Sequence, residues 1–213
     1  MTLTLRSDVH AAVVDDDVVV LDIGADDYLC LPGLAPLWRL AVDADGRVGD
    51  PDLSAQLRAA GLLGTDHTRV SRAPLPLAHR SACDLPPEPL TFRDRLALTG
   101  ALWDVLLHYR GRSLTHILRH VRRRGVGPAA SVAATVRLSA TFAHVLPWLP
   151  LPAKCLVRSF ALLCFLQRRG QDAHWCFGVR TWPFSAHCWL QVGDVALDDH
   201  ADQLRAYTTI HVA

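Results

Sequence analysis

The chain has 213 residues, half of them hydrophobic, with 22 basic and 21 acidic side chains. That is enough apolar material for one large domain, or for a small domain joined to a medium one. A charge balance this close to zero gives no electrostatic footprint for nucleic acid or an anionic membrane, so neither is expected as a partner.

In chain order, residues 11–14 and 18–23 are rich in Val and Ile and predict two strands, with Asp15, Asp16 and Asp17 as the turn between them. Asp26 and Asp27 predict a second turn. Tyr28, Leu29, Cys30 and Leu31 then predict a third strand, which Pro32 and Gly33 end. A short helix over 34–42 follows, and Asp52 is the candidate N-cap of a helix carrying Leu53 and Leu57. Three short strands and small helices within residues 1–65 resemble a winged-helix module. Residues 66–89 contain Pro74, Pro76, Pro86, Pro87 and Pro89 and read as a linker. The third region, 90–213, begins with helices expected over 93–109 and 113–124, where Leu96, Leu102, Val105 and Leu106 suit one apolar face. Residues 125–128 break the chain, and a further helix is expected over 129–145.

Pro152-Ala-Lys-Cys155 leads into another helix, with Leu156, Phe160, Leu163 and Gln167 at helical spacing and Arg168-Arg169-Gly170 as its end. Cys155 therefore lies at or near a helix N-terminus, where unpaired N–H groups and the positive dipole end favour a thiolate. Cys164, further along the helix, and Cys176, in an apolar run, are expected in the core. His187 lies in an expected strand over 186–192, and Gly193-Asp194 predicts a hairpin into 195–199. A thiolate, an imidazole and a hairpin carboxylate are the parts of a cysteine nucleophile with its base and orienting acid. Simple pairing around Gly193-Asp194 places Asp198 on the His187 face, whereas a one-residue bulge brings Asp199 round instead, so both remain open.

Other features carry less. His116 and His120 have the i, i+4 spacing of metal ligands but no Glu follows His116, and they read as an exposed helix face. None of the six cysteines forms CxxC, which argues against a zinc knuckle. The first ten residues lack the layout of a secretory signal, and no uncharged apolar run reaches the roughly 18 residues of a membrane span. A cytoplasmic protein with reduced cysteines and with neither metal nor cofactor is the expectation.

Cys155-Leu-Val-Arg-Ser-Phe-Ala-Leu, Gln167-Arg-Arg-Gly170, Gly178-Val, Pro183-Phe-Ser-Ala-His187-Cys-Trp, Leu197-Asp-Asp-His and Tyr207-Thr-Thr-Ile together resemble the B proteins of lasso peptide biosynthesis. These are leader peptidases with a transglutaminase-like, papain-related cysteine peptidase domain. The first 65 residues resemble the family's small leader-recognition domain, here fused to the peptidase. The resemblance implies an α+β chain. It implies Cys155 as nucleophile, His187 as general base and acid, and Asp199 as orienting carboxylate. Cys188 departs from the family pattern, where Ala is frequent, and its side chain is expected to point away from the site. The implied function is cleavage of a lasso peptide precursor between leader and core, ahead of macrolactam formation by an asparagine-synthetase-like cyclase. The leader is expected to add as a strand along Tyr28 to Leu31, with pockets from Leu31, Leu53 and Leu57. The competing readings are another acyl-transfer enzyme on the same fold, such as a transglutaminase or amidase, and a non-catalytic peptide-binding protein.

Overall fold

A computed structural model describes residues 3–65, 75–123 and 131–213. The Pro-rich residues 66–74, the expected break over 125–128 and the expected helix start at 129 lie outside them. Two compact units result. The first comprises Met1–Pro74, Val179–Ser185 and Thr208–His211, and the second Leu75–Gly178, Ala186–Tyr207 and Val212–Ala213.

The first unit runs through strands β1 (Thr4–Leu5), β2 (Val9–Val14), β3 (Asp17–Asp22) and β4 (Asp27–Leu31), helices α1 (Ala35–Ala41) and α2 (Pro51–Ala59), and strand β5 (Leu63–Gly64). β2, β3 and β4 form an antiparallel sheet with β3 in the middle and β4 at one edge. The turn before β3 is tighter than expected. Val14 pairs with Asp17, so Asp15 and Asp16 make the turn, and Asp15 takes φ 53°. Asp17 itself starts the strand, is buried, and accepts hydrogen bonds from Gly33 N (2.8 Å) and Trp182 Nε1 (2.7 Å). Val18 and Val20 of β3 pack with Trp38, Leu53 and Leu57 into one core. The N-cap of α2 is Asp50, whose carboxylate accepts from Leu53 N at 2.7 Å, and not Asp52, which sits in the first turn. Pro51 moves the helix start two residues earlier, because its fixed φ suits the first helical position.

The second unit carries β6 (Arg80–Ser81), a 3₁₀ turn (Ala82–Asp84), α3 (Phe92–Asp104), a π-helical turn (Val105–Tyr109), α4 (Leu114–Arg122), α5 (Val132–Val145) and α6 (Cys155–Arg168). Strands β7 (His174–Arg180), β8 (Ser185–Val192) and β9 (Val195–Ala196), helix α7 (Ala201–Leu204) and β10 (Thr208–Val212) complete the chain. The sheet order is β10-β7-β8-β9-β6, and β6 enters parallel to β9 from within the Pro-rich segment. The central element is α6, buried continuously from Ser159 to Leu166.

The apolar face expected for α3 and the turn after it is buried only at Val105, with Leu102 half-buried. Leu96 is 58% and Leu106 50% exposed, while Ala97 and Ala101 face inward. Small side chains let α3 approach α6 closely. A Cβ on Gly100 would meet the Arg168 guanidinium at 2.6 Å, and that guanidinium holds the buried Asp104 through two bonds of 3.0 and 3.1 Å. Nor do His116 and His120 form an exposed face. The His120 ring stacks on His108 at 4.0 Å, and its Nε2 lies 3.7 Å from Asp104. Periodicity counts Leu and Val, and cannot show that Ala and a buried Asp104 held by Arg168 carry the contact.

Candidate active site

Cys155 is the first residue of α6. Lys154 is its N-cap in extended conformation and makes no side-chain capping bond. The first-turn N–H groups are therefore not consumed by a cap side chain, and they bring their partial positive charge to the Cys155 sulfur. Cys155 and Ser159 are one helical turn apart, and so both face the strands that cover this end of the helix.

β8 presents His187, and the turn into β9 is the expected two-residue one, with Val192 paired to Val195 and Gly193 at φ +56°. The ladder then stops. Gln191 pairs with Ala196, and Leu197 N still reaches Leu190 O at 2.9 Å, but beyond it the chain bends away. At this point the Asp198 side chain takes over the role of a strand. Its Oδ1 accepts from Leu190 N (2.7 Å) and its Oδ2 from Ser159 Oγ (2.5 Å), so both of its oxygens are committed. Asp199 is released from the pleat and turns to His187, with Oδ2 2.5 Å from Nε2, while its Oδ1 accepts from His200 N at 2.8 Å. The carboxylate at His187 is thus Asp199. It is brought there by the end of the β8–β9 ladder, not by the bulge that pairing arguments required.

With Nε2 turned to Asp199, the hydrogen bond between His187 and Cys155 falls to Nδ1. The Cys155 thiol is lowered to about 4, first by a hydrogen bond from the Cys188 side chain and then by His187, against the opposing effect of burial. His187 is raised to about 10, chiefly by its bond to Asp199 and next by Cys155. The two values describe one arrangement, a thiolate–imidazolium pair backed by a carboxylate. Asp199 is held below the ordinary carboxylate range by His187, although burial opposes this. Asp198 behaves in the opposite way: burial raises it to about 6, and the Ser159 and Leu190 bonds offset only part.

The expected orientation of Cys188 is corrected here. Its buried side chain bonds Cys155 and is itself pushed well above the ordinary thiol range. Strand alternation alone puts Cys188 opposite His187, but the sulfur at the tip of α6 lies where both neighbours reach it. Ser159 is the other contributor that sequence reading passed over, and Asp198, weighed there as the His187 partner, instead binds Ser159 and Leu190 N. The available signal was the one-turn spacing from Cys155 to Ser159, which puts a hydroxyl on the same helix face as the Cys155 thiol. Rings flank His187, Tyr207 at 5.2 Å and Trp189 at 6.2 Å between centroids. Cys164 and Cys176 are buried as expected.

The other expected residues lie in the first unit. Tyr28, Cys30 and Leu31 are half-buried on the edge strand β4, and Leu29 is 43% exposed. Leu53 and Leu57 are 2% and 3% exposed and belong to the core, so they back the sheet and present no open pocket.

Among the described residues two groups of metal-type donors converge, Cys83 with Asp84 and His200, and Asp104 with His120 and Cys164. In the second, Arg168 already occupies both oxygens of Asp104. No described helix is long and apolar enough to cross a membrane.

Residues 99–212, just over half of the chain, match the family described as the transglutaminase-like superfamily. The match includes Cys155, His187 and Asp199. The microcin J25-processing protein McjB of Escherichia coli is 47% identical over 45 residues, a stretch that covers 21% of this chain and 22% of that protein. The chain thus spans about a fifth of the length of this curated relative. No solved structure matches.

Proposed function

Because the chain belongs to the transglutaminase-like superfamily, we propose that it is a cysteine peptidase that removes the leader from a lasso peptide precursor. The observation that carries this reading is the row Cys155, His187, Asp199 at the N-terminus of a buried helix, with the thiol lowered to about 4 and the imidazole raised to about 10. Similarity to a protein named for processing microcin J25 supports the choice of a precursor peptide as substrate.

The chemistry follows from the geometry. The Cys155 thiolate attacks the carbonyl at the leader–core junction, and the backbone N–H of Cys155, free at the helix start, is the first donor to the oxyanion. The His187 imidazolium gives its proton to the leaving core amine, and a thioester to the leader remains. Neutral His187 then takes a proton from water, which attacks the thioester and releases the leader acid. Asp199 holds the imidazole with Nδ1 toward sulfur throughout, and Asp198 with Ser159 fixes the bend that aims Asp199. The freed amine is the substrate that an asparagine-synthetase-like cyclase closes into a macrolactam.

The first 65 residues act as the winged-helix-like leader-recognition domain. The leader adds as a strand beside β4, where main-chain pairing supplies affinity and the exposed Leu29 an apolar contact. Holding the leader there raises the effective concentration of the junction at Cys155.

The test is mass analysis of the full chain mixed with the precursor peptide encoded beside its gene. Wild type yields leader and core, and Cys155→Ala yields neither. Leu29→Asp is expected to raise KM while leaving the reactivity of Cys155 toward iodoacetamide unchanged. Cleavage that survives Cys155→Ala refutes the mechanism, and an unaltered KM in Leu29→Asp refutes the recognition role.

A further inference from the structure

We propose that Cys83, Asp84 and His200 form a binding site for a divalent transition-metal ion of the zinc type, on the far side of the loop that carries Asp199. His200 Nδ1 lies 3.6 Å from Cys83 Sγ and 3.3 Å from Asp84 Oδ1, and the three donor atoms all fall within 4.8 Å of one another. In tetrahedral zinc, bonds of about 2.3 Å to sulfur and about 2.0–2.2 Å to nitrogen and oxygen place sulfur and nitrogen about 3.6 Å apart, and nitrogen and oxygen about 3.3 Å apart. The two separations agree with that requirement.

Hydrogen bonding alone uses this arrangement poorly. Both Cys83 and Asp84 converge on the same ring nitrogen, and Nδ1 has only one proton to give or one lone pair to accept with. A cation satisfies all three donors together. On binding, the Cys83 thiol releases its proton to solvent and its sulfur bonds the metal in place of its contact with the Asp199 carbonyl at 3.5 Å. A mixed sulfur, nitrogen and oxygen set selects zinc or cobalt over magnesium or calcium, which take oxygen ligands.

The ligands sit on backbone already tied together. β6 pairs with β9 immediately before the Cys83–Asp84 turn, and Ser81 Oγ accepts from Ala201 N at 3.0 Å, joining that turn to the residue after His200. Cys83 and His200 also border a cavity of about 490 Å³ that extends past Asp199 and Arg158, which leaves room for a fourth ligand such as water. His200 N in turn donates to Asp199 Oδ1. An ion here therefore clamps the peptide next to the carboxylate that orients His187. The 115 residues between Asp84 and His200 explain why no spacing motif announces the site.

The experiment uses the full chain carrying Cys155→Ala, so that the reactive thiol cannot itself take metal. Zinc chloride is titrated calorimetrically, and cobalt chloride is followed by absorption. The expected result is one equivalent of zinc, and a cobalt spectrum with tetrahedral ligand-field bands and a thiolate-to-cobalt charge-transfer band. Adding Cys83→Ser is expected to abolish the charge-transfer band, and adding His200→Ala to weaken zinc binding by about tenfold or more, both with unchanged circular dichroism. Absence of a zinc equivalent in Cys155→Ala overturns the site. So does binding that neither added substitution alters, because the ligands then lie elsewhere.

Discussion

Asp199→Asn removes the charge 2.5 Å from His187 Nε2 while preserving the size of the side chain. His187 stands at about 10 against an ordinary 6.5, and the Asp199 bond is the largest of the causes that raise it, ahead of the Cys155 thiolate. If Asp199 supplies about half of the rise, its loss lowers the imidazole by roughly two units, or about 2–3 kcal/mol of imidazolium stabilisation. The Asn amide also donates to Nε2, which moves the neutral ring's proton to Nδ1 and points an N–H at the sulfur where an acceptor is needed. By analogy with triad enzymes, that loss of tautomer costs about 10²- to 10⁴-fold in rate. The assay that isolates this step needs no peptide substrate. Alkylation of Cys155 by iodoacetamide, resolved from the other cysteines by peptide mass analysis, is followed against pH in wild type, Asp199→Asn and Asp198→Asn. Wild type should show the ion pair between limbs near 4 and near 10: below the first the thiolate is protonated, and above the second the imidazolium is lost. Asp199→Asn should bring the alkaline limb down toward 8, and Asp198→Asn should leave it in place. The reasoning fails if Asp199→Asn leaves the limb unmoved, or if Asp198→Asn moves it as far.

Three further outcomes follow from the same geometry. Cys188→Ala removes the largest influence lowering the Cys155 thiol, so the acid limb of alkylation should rise from about 4 toward the ordinary thiol value; an unchanged limb would remove Cys188 from the site. Asp198→Asn keeps an acceptor for Leu190 N and abolishes a carboxyl that burial raises to about 6. A carboxyl with a raised folded pKa contributes its stability below the unfolded value near 4 and loses it as pH climbs through 6. Chemical denaturation should therefore find the variant more stable than wild type by about 1–3 kcal/mol at neutral pH, with the gap closing in acid. Gly178→Ala would set a Cβ 2.7 Å from the Trp189 ring and 3.1 Å from Tyr207 Cβ, the two residues whose rings flank His187. Thermal melting should show a loss of about 1–3 kcal/mol, accompanied by slower Cys155 alkylation.

How much of the site was legible in the sequence depends on the range of each interaction. Local signals read well. Gly193-Asp194 specified the register of the β8–β9 hairpin, and Pro152 and Arg168-Arg169-Gly170 bracketed a helix whose first residue is Cys155. The first sheet was readable strand by strand for the same reason, since the turn aspartates and the valine-rich runs act within a few residues. What alternation could not decide was Asp198 against Asp199, because alternation assumes that the ladder continues. It stops because a half-buried acid competes for the strand's hydrogen bond: Leu190 N takes Asp198 Oδ1 where a continuing strand would offer a carbonyl. That competition draws on Ser159, 39 residues earlier, which holds the other oxygen. The same long-range logic governs the partly misread face of α3, where Ala97, Ala101 and the Asp104–Arg168 pair carry the contact while Leu96 and Leu106 face out. Two adjacent aspartates therefore serve different ends. The first is half-buried, raised and spent on shaping the bend, and the second is freed by that bend to bond His187. Exchanging the pair's roles would require Leu190 N and Ser159 Oγ to find a new acceptor, and this ties the position of the carboxylate at His187 to the packing of α6 against β8.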